Sequence, residues 1–552
     1  MRWLSTRILL LALLVCPVAT AGETVRITVV GTADFHGGLE AKRLKSQGQR
    51  LVGGIDIIAA YLKAIRESNP EGVVLLDAGD LYQGSLVSAA GEGRAVIEFY
   101  NEIGYDAVAV GNHDFDFGPV GYHSVPQAPG EDPLGVIKAR IEQARFPFLA
   151  ANMVERASGR IPHWKNLHPY ALLERRGVKI AVIGLTSEET PLITNPVNVR
   201  SLHFLSLLET ARRYLAQVRR LGAEVIILVV HAGIEREDSS GRALGAVADL
   251  ARALRPGEVD LIVSGHAHRA FSDWVNGIPV MQTWAKGVSF VRAELLVDRE
   301  SGQVRHCGVK LTPNTFYFRS DSQGRPPRYA GQTIRPVPHF VKRLAEYKKS
   351  ISHLERIHLG RALRDMPNQT RFDSPVGNLV TDAMRAYRPD IDIAMYNSGG
   401  LRASIRRGVV TYGKLYEVVP FDNYIVLLPM TAEEIRQVIE HGLSGPYGVM
   451  EISGLRVGVD IDAPAGQRCR SLVGPDGKEL AAGRTYLVAT NDFVFRGGDG
   501  YDLHVDGKRV EKTHRLVREV VAAYIKSRKM ISWPPDKRYR PEKKSHVSGS
   551  SQ

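Results

Sequence analysis

The sequence predicts an α/β protein of two domains. Three observations carry this. Short apolar runs alternate with helix-like stretches from residue 24 to about 297, a proline-rich stretch interrupts them, and a second α/β region runs from about 359 to 533. Alternation of this kind belongs to layered α/β folds. A chain of 552 residues also exceeds the length of one ordinary domain.

The elements follow in order. Strand-like runs lie at 26–30, 73–76, 107–110, 180–183, 225–230 and 261–263, and helix-like segments at 55–67 and 205–220 separate several of them. Prolines 326, 327 and 338 break the pattern. Residues 339–358 then read as one amphipathic, basic helix that bridges two domains. The second region has its own strands and helices, among them 378–387, 432–441 and 485–489. The tail after residue 535 is basic and then Ser/Gly-rich, the composition of a disordered segment.

The amino terminus reads as a signal peptide. Arg2 and Arg7 precede an apolar run over 8–15, and Ala19-Thr20-Ala21 offers a small-x-small cleavage site, which places the cut after Ala21 and predicts export. The apolar run is too short to span a bilayer, and no later segment reads as a transmembrane helix. Losing the two arginines lowers the formal charge from +13 to +11. Much of that charge lies in solvated patches such as Arg212-Arg213 and Arg219-Arg220, and no nucleic-acid module signature accompanies it, so nucleic acid is not an expected partner. Cys307 and Cys469 remain after cleavage, either as one disulfide or as two thiols.

The chemistry sits where the strand-like runs end. The first leads into Asp34-Phe35-His36, the second into Gly79-Asp80, and the third into Gly111-Asn112-His113-Asp114-Phe115-Asp116. Two later runs end in His231 and in Gly265-His266-Ala267-His268. In extended chain, residues two apart point the same way, so Asp34 and His36 are expected to face one ion together. Carboxylates, imidazoles and an amide oxygen suit divalent first-row metals, and ligands gather at the carboxyl edge of open α/β sheets. Two close cations need a bridging carboxylate, and Asp80 is the candidate. Each piece alone is ordinary. Five in order, each at a strand mouth, are a site.

This series resembles the calcineurin-like metallophosphoesterases. The resemblance implies a four-layer α/β/β/α sandwich over residues 22–335. It implies two divalent ions (Zn, Mn, Co or Fe), one on Asp34, His36, Asp80 and His268, the other on Asp80, Asn112, His231 and His266. His113 is left free of metal beside the scissile phosphate, with Asp116 to orient it; a helix N-cap is the competing role for Asp116. Divalent ions make water a nucleophile near neutral pH and spread the charge that builds on phosphoryl oxygens.

The second region resembles the 5′-nucleotidase substrate domain. The similar stretches are Gly377-Asn378-Leu379, Asn397-Ser398-Gly399-Gly400-Leu401-Arg402, Pro420-Phe421-Asp422-Asn423, Asn491-Asp492-Phe493, and Gly497-Gly498-Asp499-Gly500-Tyr501. The resemblance, to bacterial 5′-nucleotidases and UDP-sugar hydrolases, covers most of the mature chain. It implies a linker helix over 336–358 acting as a hinge, a substrate-binding domain over 359–535, and a tail over 536–552. By the same resemblance Phe421 and Phe493 sandwich a nucleobase, Asp499 accepts from ribose hydroxyls, Arg402 and Arg371 bind phosphate, and Asn397 and Asn423 touch the ligand. Phe495 lies two residues from Phe493, so one of the two is expected to pack inward.

The chain departs from the pattern in three places. Pro367 stands where an arginine is usual, Asp492 separates Asn491 from Phe493, and Phe115 and Phe117 make the run around Asp116 more aromatic than its task requires. The expected reaction is phosphate release from nucleoside 5′-monophosphates and other nucleotides or nucleotide sugars. A 2′,3′-cyclic nucleotide phosphodiesterase is the alternative. A thiosulfohydrolase or a non-catalytic nucleotide-binding protein is more distant.

Overall fold

The computed structural model describes residues 23–121, 123–368, 372–533 and 537–542, apart from the side chains of His306 and Cys307. The signal-peptide reading, the role of Arg371 and the pairing of Cys307 lie outside the described residues. Cys469 is buried and has no disulfide partner among the described residues.

Two sheets stack face to face in the first domain. One holds β1 (Thr24–Thr32), β2 (Val73–Asp77) and β3 (Ala107–Ala109) side by side and parallel, with Ser289–Asp298 and Val304–Phe316 on the far edge of β1. The other holds Val178–Thr186, β4 (Val225–His231) and β5 (Leu261–Ser264), also parallel. Side chains alternate across each strand. Val225, Ile227 and Val229 face the opposing sheet, while Ile226, Leu228 and Val230 pack under the helices Leu207–Arg220 and Ala246–Ala253. In the first sheet Val74 and Leu76 point inward, and Val73 and Leu75 meet the helices Ile55–Ser68 and Arg94–Ile103. The four layers are therefore α/β/β/α, as the resemblance implied. The sheets approach closely at Gly31, where a methyl would sit 2.7 Å from Val263.

The second domain is a five-stranded sheet in which β6 (Ile393–Asn397), β7 (Tyr424–Thr431) and β8 (Thr485–Asn491) form the centre, ordered β6-β8-β7. Helices Pro375–Arg385 and Val517–Arg528 cover one face and Ala432–Ser444 the other.

Helix α1 (Pro338–Glu355) joins the two domains. Proline at its first turn suits the start of a helix. It is fastened to the first domain: Phe340 stacks on Phe99 at 5.4 Å, Arg343 pairs with Glu98 at 2.7 Å, and Phe340 and Ile351 enter the core there together with Tyr416 of the second domain.

The expectation of a disordered tail fails over residues 537–542. Tyr539–Pro541 adds a parallel strand to Arg456–Val459. Arg538 is buried and pairs with Asp382 at 2.9 Å, and Tyr539 donates to the Met450 carbonyl. Composition suggested a solvated basic tail, but one arginine is buried with a partly buried carboxylate partner and one tyrosine fills the core.

Candidate active site at the domain interface

The strand ends of the first domain converge on one point. Asp34, His36 and His268 form one group of potential metal ligands, and Asp80, His231 and His266 form another. The convergence does not come from extended backbone, as the Asp-x-His spacing had suggested. β1 ends at Thr32, and Asp34, His36, Asp80, His266 and His268 all hold left-handed backbone angles, with φ between 47° and 70°. Such angles cost non-glycine residues energy and concentrate at functional sites. They are fixed by the loops themselves: Asp34 and His36 donate their backbone N–H groups to the carbonyls of Gly79 and Asp80.

Hydrogen bonds set the direction of the imidazoles. His36 Nδ1 donates to the Gln83 carbonyl at 2.9 Å and His231 Nδ1 to the Ala78 carbonyl at 2.7 Å. Nε2 of each then faces the site, the arrangement of an oriented metal-binding histidine. His36 Nε2 lies 3.0 Å from His268 Nε2, and Asp80 Oδ2 lies 3.7 Å from His36 Nε2 and 3.3 Å from His231 Nε2. Asn112 Oδ1 is 2.9 Å from His231 Nε2. Asp80 Oδ2 is fully buried without a hydrogen-bond partner. A buried carboxylate oxygen between two imidazoles is a poor arrangement for water and a good one for cations. All seven predicted ligands meet here, and Asp80 stands between the two groups.

The electrostatics fit. Burial pushes His36 and His268 well below the usual imidazole range and His266 down to about 3, so these rings offer lone pairs. Burial raises Asp34 to about 7. At Asp80 burial works the same way, but His231 and His113 outweigh it and hold the carboxyl well below its ordinary value. Asp114 supports the loop: it accepts from Gly111 N at 2.8 Å and Leu81 N at 3.0 Å. The residues present therefore fit divalent cations.

His113 stands beside the ligands. Its Nδ1 donates to Asp116 Oδ2 at 2.7 Å, and its backbone N–H donates to Asp80 Oδ1 at 2.8 Å. Burial lowers its pKa, but Asp116 and Asp80 outweigh that and raise it above the ordinary value. Asp116 is not an N-cap. It follows the turn Asn112–Phe115, and its second oxygen accepts from the Thr194 hydroxyl at 2.8 Å.

The second domain closes over this centre. A cavity of about 210 Å³ has His113, Asn112 and His266 on one side and Asn397, Arg402, Phe421, Asn423, Phe493 and Asp499 on the other. Every described residue predicted to bind substrate lines it. Phe421 lies 5.5 Å from the His113 ring, and Arg402 Nη2 lies 3.5 Å from His36 Nε2. Asn397 donates to Asp499 Oδ2 at 2.8 Å and accepts from Asn491 at 2.9 Å. Phe493 and Phe495 do not alternate as on a strand, because Asp492–Phe495 is a helical turn whose buried apolar residue is Val494. Asp492 starts that turn and accepts from Tyr424 N at 2.9 Å, which accounts for the extra residue before Phe493. Gly498 lies flat against the Phe493 ring, where a methyl would come within 2.5 Å.

Sequence reasoning missed Thr194, Ile193, Phe117, Tyr447 and Lys286. Phe117 lines the cavity, and the aromatic run around Asp116 was its signal. Lys286 Nζ donates to the Arg402 carbonyl at 2.7 Å and Tyr447 to Glu189 at 3.1 Å, both across the domain boundary.

Facing sheets whose strand mouths present Asp, His and Asn around a cation-ready centre define a metallophosphoesterase. The calcineurin-like phosphoesterase family matches residues 27–270, and the 5′-nucleotidase C-terminal domain matches residues 351–506. The chain joins these two modules and belongs to the 5′-nucleotidase family. It is 27% identical to a 5′-nucleotidase of Vibrio cholerae serotype O1, over 93% of this chain and 92% of that one. The solved 5′-nucleotidase precursor of Thermus thermophilus superposes with a TM-score of 0.80 at 26% identity, over 94% of this chain and 99% of that one. The sulfate thiohydrolase SoxB of the same organism shares the fold, with a TM-score of 0.72 at 18% identity, over 93% and 96% of the two chains.

Proposed function

We propose that the protein is an exported phosphohydrolase that releases phosphate from nucleoside 5′-monophosphates, using two divalent ions. The observation that carries this is the shared cavity. Base-stacking rings and an arginine on one domain face the ligand cluster and His113 on the other. Asp34, His36, Asp80 and His268 would hold one ion, and Asp80, Asn112, His231 and His266 the other. When bound, such ions activate water and neutralise charge on the phosphoryl oxygens.

The chain's own residues do the rest. Phe421 and Phe493 stack on the base, which favours nucleotides over inorganic sulfur substrates. Asp499 accepts from ribose hydroxyls, and Asn397 and Asn423 supply further polar contacts. Arg402, which pairs with no carboxylate among the described residues, takes the phosphate, joined by Arg371. His113, held through Nδ1 by Asp116, carries a proton on Nε2 toward the leaving alkoxide. Closure of the second domain excludes water. Export rests on the amino-terminal sequence alone; among the described residues no helix is long and apolar enough to cross a membrane.

The test is phosphate release by the purified mature protein with added Mn or Zn from AMP, UDP-glucose, 2′,3′-cyclic AMP and a plain sugar phosphate. Metal-dependent release from AMP is expected, with kcat reduced roughly 10²- to 10⁴-fold in His113→Ala. Turnover of the cyclic substrate without turnover of AMP would overturn the assignment.

A further inference from the structure

We propose that Thr194 is a positioning residue of the active site: its hydroxyl holds Asp116 so that Asp116 can hold His113. This rests on the phosphohydrolase reading above.

Asp116 has two engaged oxygens. Oδ2 accepts from His113 Nδ1 at 2.7 Å, and Oδ1 accepts from Thr194 Oγ1 at 2.8 Å. With one donor, a carboxylate can pivot about its Cβ–Cγ bond. A second donor on the other oxygen fixes the plane, and with it the direction of the imidazole. Thr194 is 1% exposed, so its hydroxyl needs a partner. A backbone carbonyl would satisfy it, as the Ser187 carbonyl satisfies the neighbouring Thr190 hydroxyl. Thr194 instead donates its hydrogen bond to the carboxylate that touches His113.

The residue before it acts on the other half of the site. The Ile193 carbonyl accepts from Asn112 Nδ2 at 3.1 Å, which turns Asn112 Oδ1 toward His231. Two consecutive residues, at the end of the helical turn Thr190–Ile193, thus orient one member of the ligand cluster and one member of the dyad. The loop is rigid enough for this. Thr194 N donates to the Thr190 carbonyl at 3.1 Å, Asn195 caps the turn Pro196–Val199, and Asn198 donates to the carbonyls of Phe115 and Ser124 at 2.8 Å each. Glu189, at the start of the same segment, accepts from Tyr447 of the second domain.

The decisive experiment combines Thr194→Val, Thr194→Ser and Asp116→Ala in the metal-loaded full-length protein, with kcat and KM for AMP, Tm, metal content, and a crystal structure of Thr194→Val. Valine keeps the shape and removes the donor. The expected result is an unchanged Tm and metal content, a KM within about twofold of wild type, and kcat lower by roughly 10- to 100-fold, the loss typical of an orienting partner. Serine restores the rate. Added to Asp116→Ala, the valine change costs nothing further, since both act through one hydrogen bond. Thr194→Ala carries the test in valine's place where valine impairs folding. A wild-type kcat in the donor-free variant, or a loss that adds in full to that of Asp116→Ala, would overturn the inference. If the wild-type protein hydrolyses no phosphoester, the functional reading falls alone and the crystal structure decides: an Asp116 carboxylate turned from His113 supports the role of Thr194, and the unchanged pairing refutes it.

Discussion

Five of the seven residues expected to hold metal adopt backbone angles that glycine would adopt more readily. Each costs on the order of 1–3 kcal/mol, a strain that concentrates here at the clustered Asp and His side chains. The residue types were legible in the sequence, since Asp, His and Asn at successive strand ends have few other uses. The backbone state was not legible, because spacing alone cannot distinguish an extended pair from two left-handed residues held by neighbouring loops. The same scale governs substrate affinity. Burial raises Asp499 to about 6, against the opposing hydrogen bond from Asn397. Above that pH the carboxylate is charged and, on the proposed reading, is the form that would accept from ribose hydroxyls. As pH falls through about 6 it gains a proton and loses that acceptor charge. KM for AMP is therefore expected to rise on acidification through this range. In Asp499→Ala it is high throughout and this step is gone. Measuring KM from about pH 7.5 to 5 in both proteins checks the point.

At the scale of elements, the site is a set of turns pressed together at the mouths of β1 to β5. Gly79 and Gly111 let two of those turns meet. A methyl on Gly111 would overlap Oδ1 and the backbone nitrogen of Asp80, so Gly111→Ala must displace the residue placed between the two ligand groups. Overpacking of this kind costs about 1–3 kcal/mol. The expected outcome is a folded protein of lower Tm with less bound metal per chain, measured by calorimetry and elemental analysis. The central strands and the helices Ile55–Ser68 and Leu207–Arg220 were legible because their apolar runs are strong and periodic, whereas the helices Arg94–Ile103 and Ala246–Ala253 and the strands Ser289–Asp298 and Val304–Phe316 were not named. The segment 187–199 was not. Thr194-Asn195-Pro196 reads as an ordinary turn, and only tertiary structure brings it against Asp116 and Asn112.

At the scale of the molecule, the ligand cluster with His113 and the residues proposed to bind substrate lie on different domains and meet in one cavity. Lys286 to the Arg402 carbonyl, Ser124 to the Asp422 carbonyl and Tyr447 to Glu189 hold that arrangement. These contacts are polar, and beside them the boundary carries an apolar one, Tyr416 of the second domain packed into the core of the first. Helix α1 is anchored on the first domain, because Phe340 and Ile351 are part of its core. Phe340→Ala is expected to destabilise the first domain by about 3 kcal/mol, read as an earlier denaturation midpoint. The domain order was legible from the motifs. The strand over 539–541 was not, because nothing in a basic tail announces that Asp382 will receive one of its arginines.

The most direct test of the account is a crystal structure of the full-length protein with Mn or Zn and a non-hydrolysable phosphonate analogue of AMP. The account predicts two ions, one within the Asp34–His36–His268 group and one within the Asp80–His231–His266 group, with Asp80 touching both. It places the adenine between Phe421 and Phe493, and the phosphonate between Arg402 and His113. A nucleotide bound away from Phe421 and Phe493, or ions bound elsewhere, would contradict it.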